Sequence, residues 1–206
     1  TEKLSFYSNV NYESAHIDSD RLFPGFENTK KSFSNFLPRA VINYETGEFS
    51  SLRIDYNTDT DAPSIGQLQD VISNANPLQL SSGNPELDQE YSHRLFTRFR
   101  IINPETNRSW MFFLYGNIRT FIASQDTLIQ NDITLAQGGQ FRKPVNLDNY
   151  YVFRVYGSYG FPLKFMKSNL SINSSFTTRN RPGIINGQLN NNNNTSYRQG
   201  INLSSN

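Results

Sequence analysis

Ser50-Ser51-Leu52-Arg53-Ile54-Asp55-Tyr56-Asn57-Thr58-Asp59-Thr60 is the stretch that decides the fold. Successive side chains of an extended chain point to opposite faces. Leu52, Ile54 and Tyr56 therefore share one face, and Arg53, Asp55 and Asn57 share the other. An ordinary strand averages about 5–6 residues. A tilted strand that crosses a bilayer needs about 9–11, and this one is that long.

The same period of two recurs on both sides of it. Leu4 to Ala15 carries Leu4, Phe6, Val10 and Tyr12 against Ser5, Asn9, Asn11 and Glu13, with Tyr7 as the exception. Phe33 to Glu45 carries Phe36, Ala40, Ile42 and Tyr44 against Arg39, Val41 and Asn43. Glu90 to Asn103 sets Tyr91, Leu95, Phe99 and Ile101 against Ser92, Arg94, Arg98 and Arg100. Arg108 to Ala123 has Trp110, Phe112, Leu114, Ile118 and Ile122 on one face; the other begins apolar (Met111, Phe113) and ends polar (Asn117, Arg119). Asn149 to Phe161, Ser168 to Arg179 and a segment from Ser196 onward complete eight expected strands.

The connections alternate too. Thr46-Gly47-Glu48, Pro104-Glu105-Thr106-Asn107 and Pro162 to Lys167 are short. Ala15 to Ser32, Asp61 to Gln89, Ser124 to Asp148 and Asn180 to Thr195 are expected as long loops. Short turns at one end and long loops at the other are a property of outer-membrane barrels. A soluble sandwich has no reason to keep its long loops at one end.

Composition agrees. Only 36% of the 206 residues are hydrophobic, yet 16 are Phe and 11 Tyr. Disordered chains are poor in aromatics. A barrel with a polar lumen and aromatic girdles is rich in them. No run of 18 apolar residues is present, so no helix is expected to cross a membrane. Net charge is +1, which gives no electrostatic argument for nucleic acid. Without cysteine there is no disulfide or thiolate metal site. The fold class expected is all-β, an antiparallel up-and-down transmembrane barrel segment of about eight long strands over 1–206.

One connection carries a motif. Ala62-Pro63-Ser64-Ile65-Gly66-Gln67-Leu68-Gln69 is followed by Ser73-Asn74-Ala75-Asn76-Pro77-Leu78. Gly83-Asn84-Pro85-Glu86-Leu87-Asp88-Gln89-Glu90-Tyr91-Ser92-His93 comes next. This order resembles the outer-membrane β-barrel family of TonB-dependent-receptor-like proteins, and so does Phe36-Leu37-Pro38 before a strand to Tyr44. The likeness is close over about residues 33 to 103. Ala75 stands near a usual Ser, and Asp88-Gln89 replaces a usual Lys-Pro. Asn-Pro and Gly-Asn-Pro form turns, so a folded-back loop is expected.

The resemblance implies part of the wall of a Gram-negative outer-membrane receptor that imports a nutrient ligand. It implies as partners the lipid bilayer, the remaining strands and plug of a parent barrel, an inner-membrane energy-coupling protein and a surface lipoprotein. The chain shows no signal peptide, plug domain, energy-coupling box or terminal aromatic, so an internal segment is expected; a complete eight-stranded barrel is the alternative. Substrate contact would come from the long loops, through Phe23, Phe26 or Phe141.

Other motifs have plainer readings. Asp55, Asn57, Asp59 and Asp61 have the spacing that opens a calcium loop, but Thr60 stands where Gly is required and Gly66 where Glu is. All four lie on one strand face, which reads as a polar lumen row. His16 and His93 cannot make a multi-histidine zinc site, and His93 is expected at the membrane interface. Asn-x-Ser/Thr triplets at Asn107, Asn169, Asn173, Asn193 and Asn202 are expected by chance in an Asn-rich chain. Arg53, Arg94, Arg98, Arg100, Arg119 and Arg154 fall on the face assigned to the lumen. They either hold a plug or line a transport path, or belong to a generic polar lumen, and the second is the simpler account. No catalytic motif is present, so no enzyme and no cofactor are expected. The competing function is a structural or interaction barrel for adhesion, secretion or assembly; a barrel hydrolase and a soluble sandwich are further alternatives.

Overall fold

A computed structural model of the chain describes residues 3–22, 25–129 and 139–205. Among these residues eleven strands form one sheet. They are β1 (Lys3–Arg21), β2 (Glu27–Gly47), β3 (Ser50–Asp61), β4 (Gln79–Ser81), β5 (Glu90–Asn103), β6 (Arg108–Thr120), β7 (Ile122–Ile129), β8 (Gln140–Leu147), β9 (Tyr150–Leu163), β10 (Ser168–Ile185) and β11 (Gln188–Ser205). A short helix, α1, spans Ile65–Leu68. Eight long strands run as an antiparallel meander in the order β1-β2-β3-β5-β6-β9-β10-β11. The small strands cap one end: β7 and β8 form a hairpin, β4 adds parallel to β8, and β7 adds parallel to the far end of β10 at Ile184 and Ile185. The eight expected long strands are all present.

The register allows the strand tilt to be worked out. One row of paired residues runs Ser50, Ile101, Trp110, Tyr159, Ile172 and Ile201. The β2–β3 hairpin closes at Ser50, in that row. The β5–β6 hairpin closes two residues lower, at Asn103 and Arg108. The β9–β10 hairpin closes four residues lower, at Leu163 and Ser168. The turns therefore step by one residue per strand. With about 3.3 Å per residue and about 4.8 Å between strands, turns at one level require a tilt of about 35°. That lies within the range of membrane barrels.

The two faces differ sharply. Phe6 (65% exposed), Trp110 (54%), Ile118 (57%) and Ile201 (67%) lie on the apolar face with nothing packed over them. Leu52, Ile54 and Tyr56 are half-buried among neighbours of the same sheet, and the described residues form no second sheet behind them. An apolar area of this extent is untenable in water and suits lipid. On β5 it runs from Tyr91 to Ile101. Ten residues rise about 33 Å, which tilts to about 27 Å, close to the band of about 25 Å found on barrels. Aromatic groups mark both borders. Trp110 stacks on Tyr159 with ring centroids 4.1 Å apart at the short-turn end. Tyr91 and His93 meet at 4.9 Å at the other, where His93 Nδ1 also shares a hydrogen bond of 2.9 Å with the Tyr56 hydroxyl.

Three of the four expected long loops are instead largely strand: β7 and β8 take up most of the described part of Ser124 to Asp148, and the other two extend the long hairpins. β1 and β2 pair without a break from Lys3–Glu45 to Arg21–Glu27. β10 and β11 pair from Ser168–Ser205 to Ile185–Gln188, and the five residues Asn190 to Asn194 lie within β11. A two-residue turn closes that hairpin, with φ of 52° at Asn186 and 71° at Gly187. This is the mirror-image turn that matches strand twist. The physical reason for the difference is solvent. Eighteen residues rise about 60 Å, more than lipid needs, so the upper part of the hairpin is wet on both faces. Alternation reports only half-buried strands.

Candidate functional site: a polar wall under a folded connection

The polar face is one continuous surface set by register. All six arginines singled out above lie on it. Three are engaged. Asp55 takes Arg53 at 3.0 Å and Arg39 at 3.6 Å. Arg94 pairs with Asp59. Arg119 Nη1 donates to Glu90 Oε1 at 2.9 Å and lies over the Tyr150 ring at 5.0 Å. Among the described residues Arg98, Arg100 and Arg154 have no carboxylate partner. Asp55, Asn57 and Asp59 lie in extended β3, and two of the three are held by arginine, as a polar row requires.

The motif connection between β3 and β5 is folded back on itself. Ser64 donates from its backbone N–H to Gln67 Oε1 at 2.9 Å and so starts α1. The two Asn-Pro elements make the same turn. Asn76 Oδ1 accepts from the Leu78 N–H at 3.0 Å, and Asn84 Oδ1 accepts from the Glu86 N–H at 3.1 Å. Proline fixes the residue between, and the asparagine side chain closes the turn. Gly83 N–H donates to Gln69 O at 3.0 Å, and Asn84 N–H to Gln67 O at 2.6 Å. A Cβ at Gly83 would stand 2.3 Å from Gln69 O, so the close approach admits only glycine. Leu68 and Leu87 are completely buried. They give the loop a small core of its own.

This loop is tied to the wall on both sides. Gln89, itself buried, accepts from Asn35 Nδ2 at 2.6 Å and donates to Glu13 Oε1 at 3.1 Å. Glu13 and Asn35 are register partners on the polar face, so the return leg of the loop lies over that face. Lys31 Nζ donates to Pro85 O at 3.1 Å and stands 3.8 Å from Asp88. Asp88 and Gln89 thus tie the loop to the first hairpin. On the other side Asn84 Nδ2 donates to Pro144 O at 3.0 Å, and Asn146 bridges to the backbone of Asp88 and Phe121. At the same end Tyr91 donates to Phe36 O at 2.7 Å, and Thr58 Oγ1 to Pro38 O at 3.0 Å.

The structure also shows where the remaining expected residues stand. His16 is hydrogen-bonded to Ser32 in the extended β1–β2 hairpin, 2.8 Å away. Phe26 is exposed beyond β1, and Phe141 lies in β8, paired with Leu80 and Leu128. Phe23 lies outside the described residues.

Sequence reasoning missed an aromatic cluster on the polar face. Phe96, Phe113, Tyr115 and Tyr156 occupy it by register. Phe96 and Phe113 are 6.0 Å apart, and Phe113 and Tyr156 are 5.8 Å apart. Met111 and Phe113, the one lapse in the β6 alternation, were the available signal.

The comparisons bear on the whole wall. Neither the curated proteins nor the solved structures returned a match. The model of the outer membrane protein beta-barrel family matches residues 3–206. With long tilted strands, an uncovered apolar band and short turns at one end, the chain belongs to the outer membrane protein β-barrel family, and the lipid that meets its apolar face is that of the outer membrane.

Proposed function

We propose that the chain is part of the wall of a TonB-dependent receptor that imports a nutrient ligand. The observation that carries this reading is the motif connection. It closely resembles that of TonB-dependent-receptor-like proteins, apart from Ala75 and Asp88-Gln89, and it is folded against the polar wall at the long-loop end. A loop so placed narrows the route a solute would take. Among the described residues β1 and β11 each pair on one side only. Lipid cannot satisfy the backbone groups of a free edge, so in the membrane each edge is paired, and in this reading further strands of a parent barrel pair them. The proposed partners are those strands, a plug domain in the lumen, an inner-membrane energy-coupling protein and a surface lipoprotein. The role is passage and not catalysis.

The test is genetic and energetic. Deleting the gene should abolish growth on one class of nutrient supplied as sole source, and an uncoupler should abolish uptake in the parent strain. Uptake that persists with the inner membrane de-energised would sink the reading. So would a complete reading frame with no plug domain before Thr1; a structural barrel for adhesion, secretion or assembly would then take its place.

A further inference from the structure

Charge is divided unevenly across the wall. Glu13, Glu45, Asp55 and Asp59 lie on the polar face of β1–β3. Strand β6 contains no Asp or Glu, and none occurs anywhere after Asp148. Yet β9 and β11 place Arg154 and Arg198 on the polar face, and β5 places Arg98 there. All three are exposed, and none has a carboxylate partner among the described residues. The nearest acid along the row of Arg154 is Asp55, three strands away and already held by two arginines.

The register sets these arginines around the aromatic cluster. One row reads Arg98, Phe113, Tyr156, Ser175, Arg198. The next reads Phe96, Tyr115, Arg154, Thr177. At about 4.8 Å per strand, Arg98 and Arg198 are about 19 Å apart, with Arg154 between them. Aromatic rings are thus bordered, on the polar face, by three guanidinium groups that have no carboxylate partner among the described residues. Ring faces attract ring faces. Guanidinium groups recognise carboxylate, sulfonate and phosphate oxygens, and stack on aromatic ligands. A local excess of one charge raises the concentration of the opposite ion at the wall.

We infer that the polar face of β5, β6, β9 and β11 is a binding surface for an organic anion that carries a ring and more than one negative charge. This deepens the import reading by giving the solute a chemical class, and it rests on that reading for the solute's route through the lumen. The aromatic faces take the ring, and Arg98, Arg154 and Arg198 take the charges.

The probe is 8-hydroxypyrene-1,3,6-trisulfonate, a polyanionic ring system too hydrophilic to enter micelles. Its fluorescence anisotropy is titrated with the full-length protein in a non-ionic detergent. Saturable binding is expected, weakening as salt rises. Arg154→Gln and Arg198→Gln should each weaken it about tenfold or more. Tyr156→Leu should weaken it less, and Lys164→Ala, at the β9–β10 turn, should leave it unchanged. Heat-modified migration on a gel checks that each variant keeps its barrel. The proposal is overturned if the wild type does not bind, or if the arginine variants bind as tightly. It is also overturned if a glutamate-rich peptide binds more tightly than the dye and Tyr156→Leu has no effect, since the occupant would then be an acidic polypeptide. An importer of a neutral solute would keep energy-dependent uptake while failing to bind the dye, so the two readings fail separately.

Discussion

Replacing Gly83 by alanine should open the motif loop without unfolding the wall. The new Cβ would lie 2.3 Å from Gln69 O, 2.7 Å from Gln67 O and 2.9 Å from Gln67 C, all of them backbone. No side chain can turn away to make room. The two segments must separate by about 1 Å, which breaks Gly83 N–H to Gln69 O and Asn84 N–H to Gln67 O. Two bonds at about 1 kcal/mol each, plus about 1–3 kcal/mol of overpacking, come to about 3–5 kcal/mol. The buried side chains of Leu68 and Leu87 oppose full release by about 1.5–3 kcal/mol each. Loop opening should therefore rise about 100-fold or more. The assay is hydrogen exchange at the amides of residues 83 and 84 in the full-length protein in detergent. Gel migration of the unheated protein reports on the barrel. Exchange within about threefold of wild type would refute the reasoning, because a backbone clash of this size cannot be absorbed silently.

Three further outcomes follow from the same geometry. Leu114→Arg puts a charge on the apolar face near mid-band and should cost about 2–4 kcal/mol in urea titrations of vesicle-inserted protein, whereas Tyr115→Arg on the polar face should cost about 1 kcal/mol or less; equal costs would mean the faces are misassigned. Gly187→Ala forces a side chain at φ 71° and should cost about 1–2 kcal/mol, read as faster exchange in residues 181–190 with residues 168–176 unchanged. Asn146→Asp keeps the acceptor for the Asp88 N–H but loses the donors to Asp88 O and Phe121 O; it should loosen the loop by about 2 kcal/mol, visible as earlier protease cleavage between residues 70 and 90, with Asn146→Ala looser still.

What could be read from the sequence tracks where lipid is. Leu52, Ile54 and Tyr56 alternate cleanly with Arg53, Asp55 and Asn57 because that part of β3 has lipid on one side and the lumen on the other. Above the lipid border the same backbone pairing continues, but both faces are wet and the alternation stops. Residues 180–195 therefore read as a loop. The turn itself was legible, since Asn186-Gly187 is the strongest two-residue hairpin signal. A polar run hides a strand from periodicity and not from turn chemistry.

The wall was legible in a different way from the contacts on it. Period two is enough to send six arginines to one face. Whether each finds a carboxylate depends on register, which residues in separate strands do not announce. Arg53 and Asp55 are two apart in one strand and could be paired on sight; Arg94 and Asp59 become neighbours only when β3 and β5 are aligned. The aromatic cluster has a further cause. Aromatic residues in a barrel sequence read as lipid-facing by default, because most of them are. Phe96, Phe113, Tyr115 and Tyr156 break that rule together, on three adjacent strands and in two adjacent rows. Tyr7, Phe33 and Tyr150 also depart from it, but singly or at the loop end. Four that converge beside unpaired arginines, on strands where carboxylates are almost absent, mark a surface shaped by something other than the lipid or the water on either side of it.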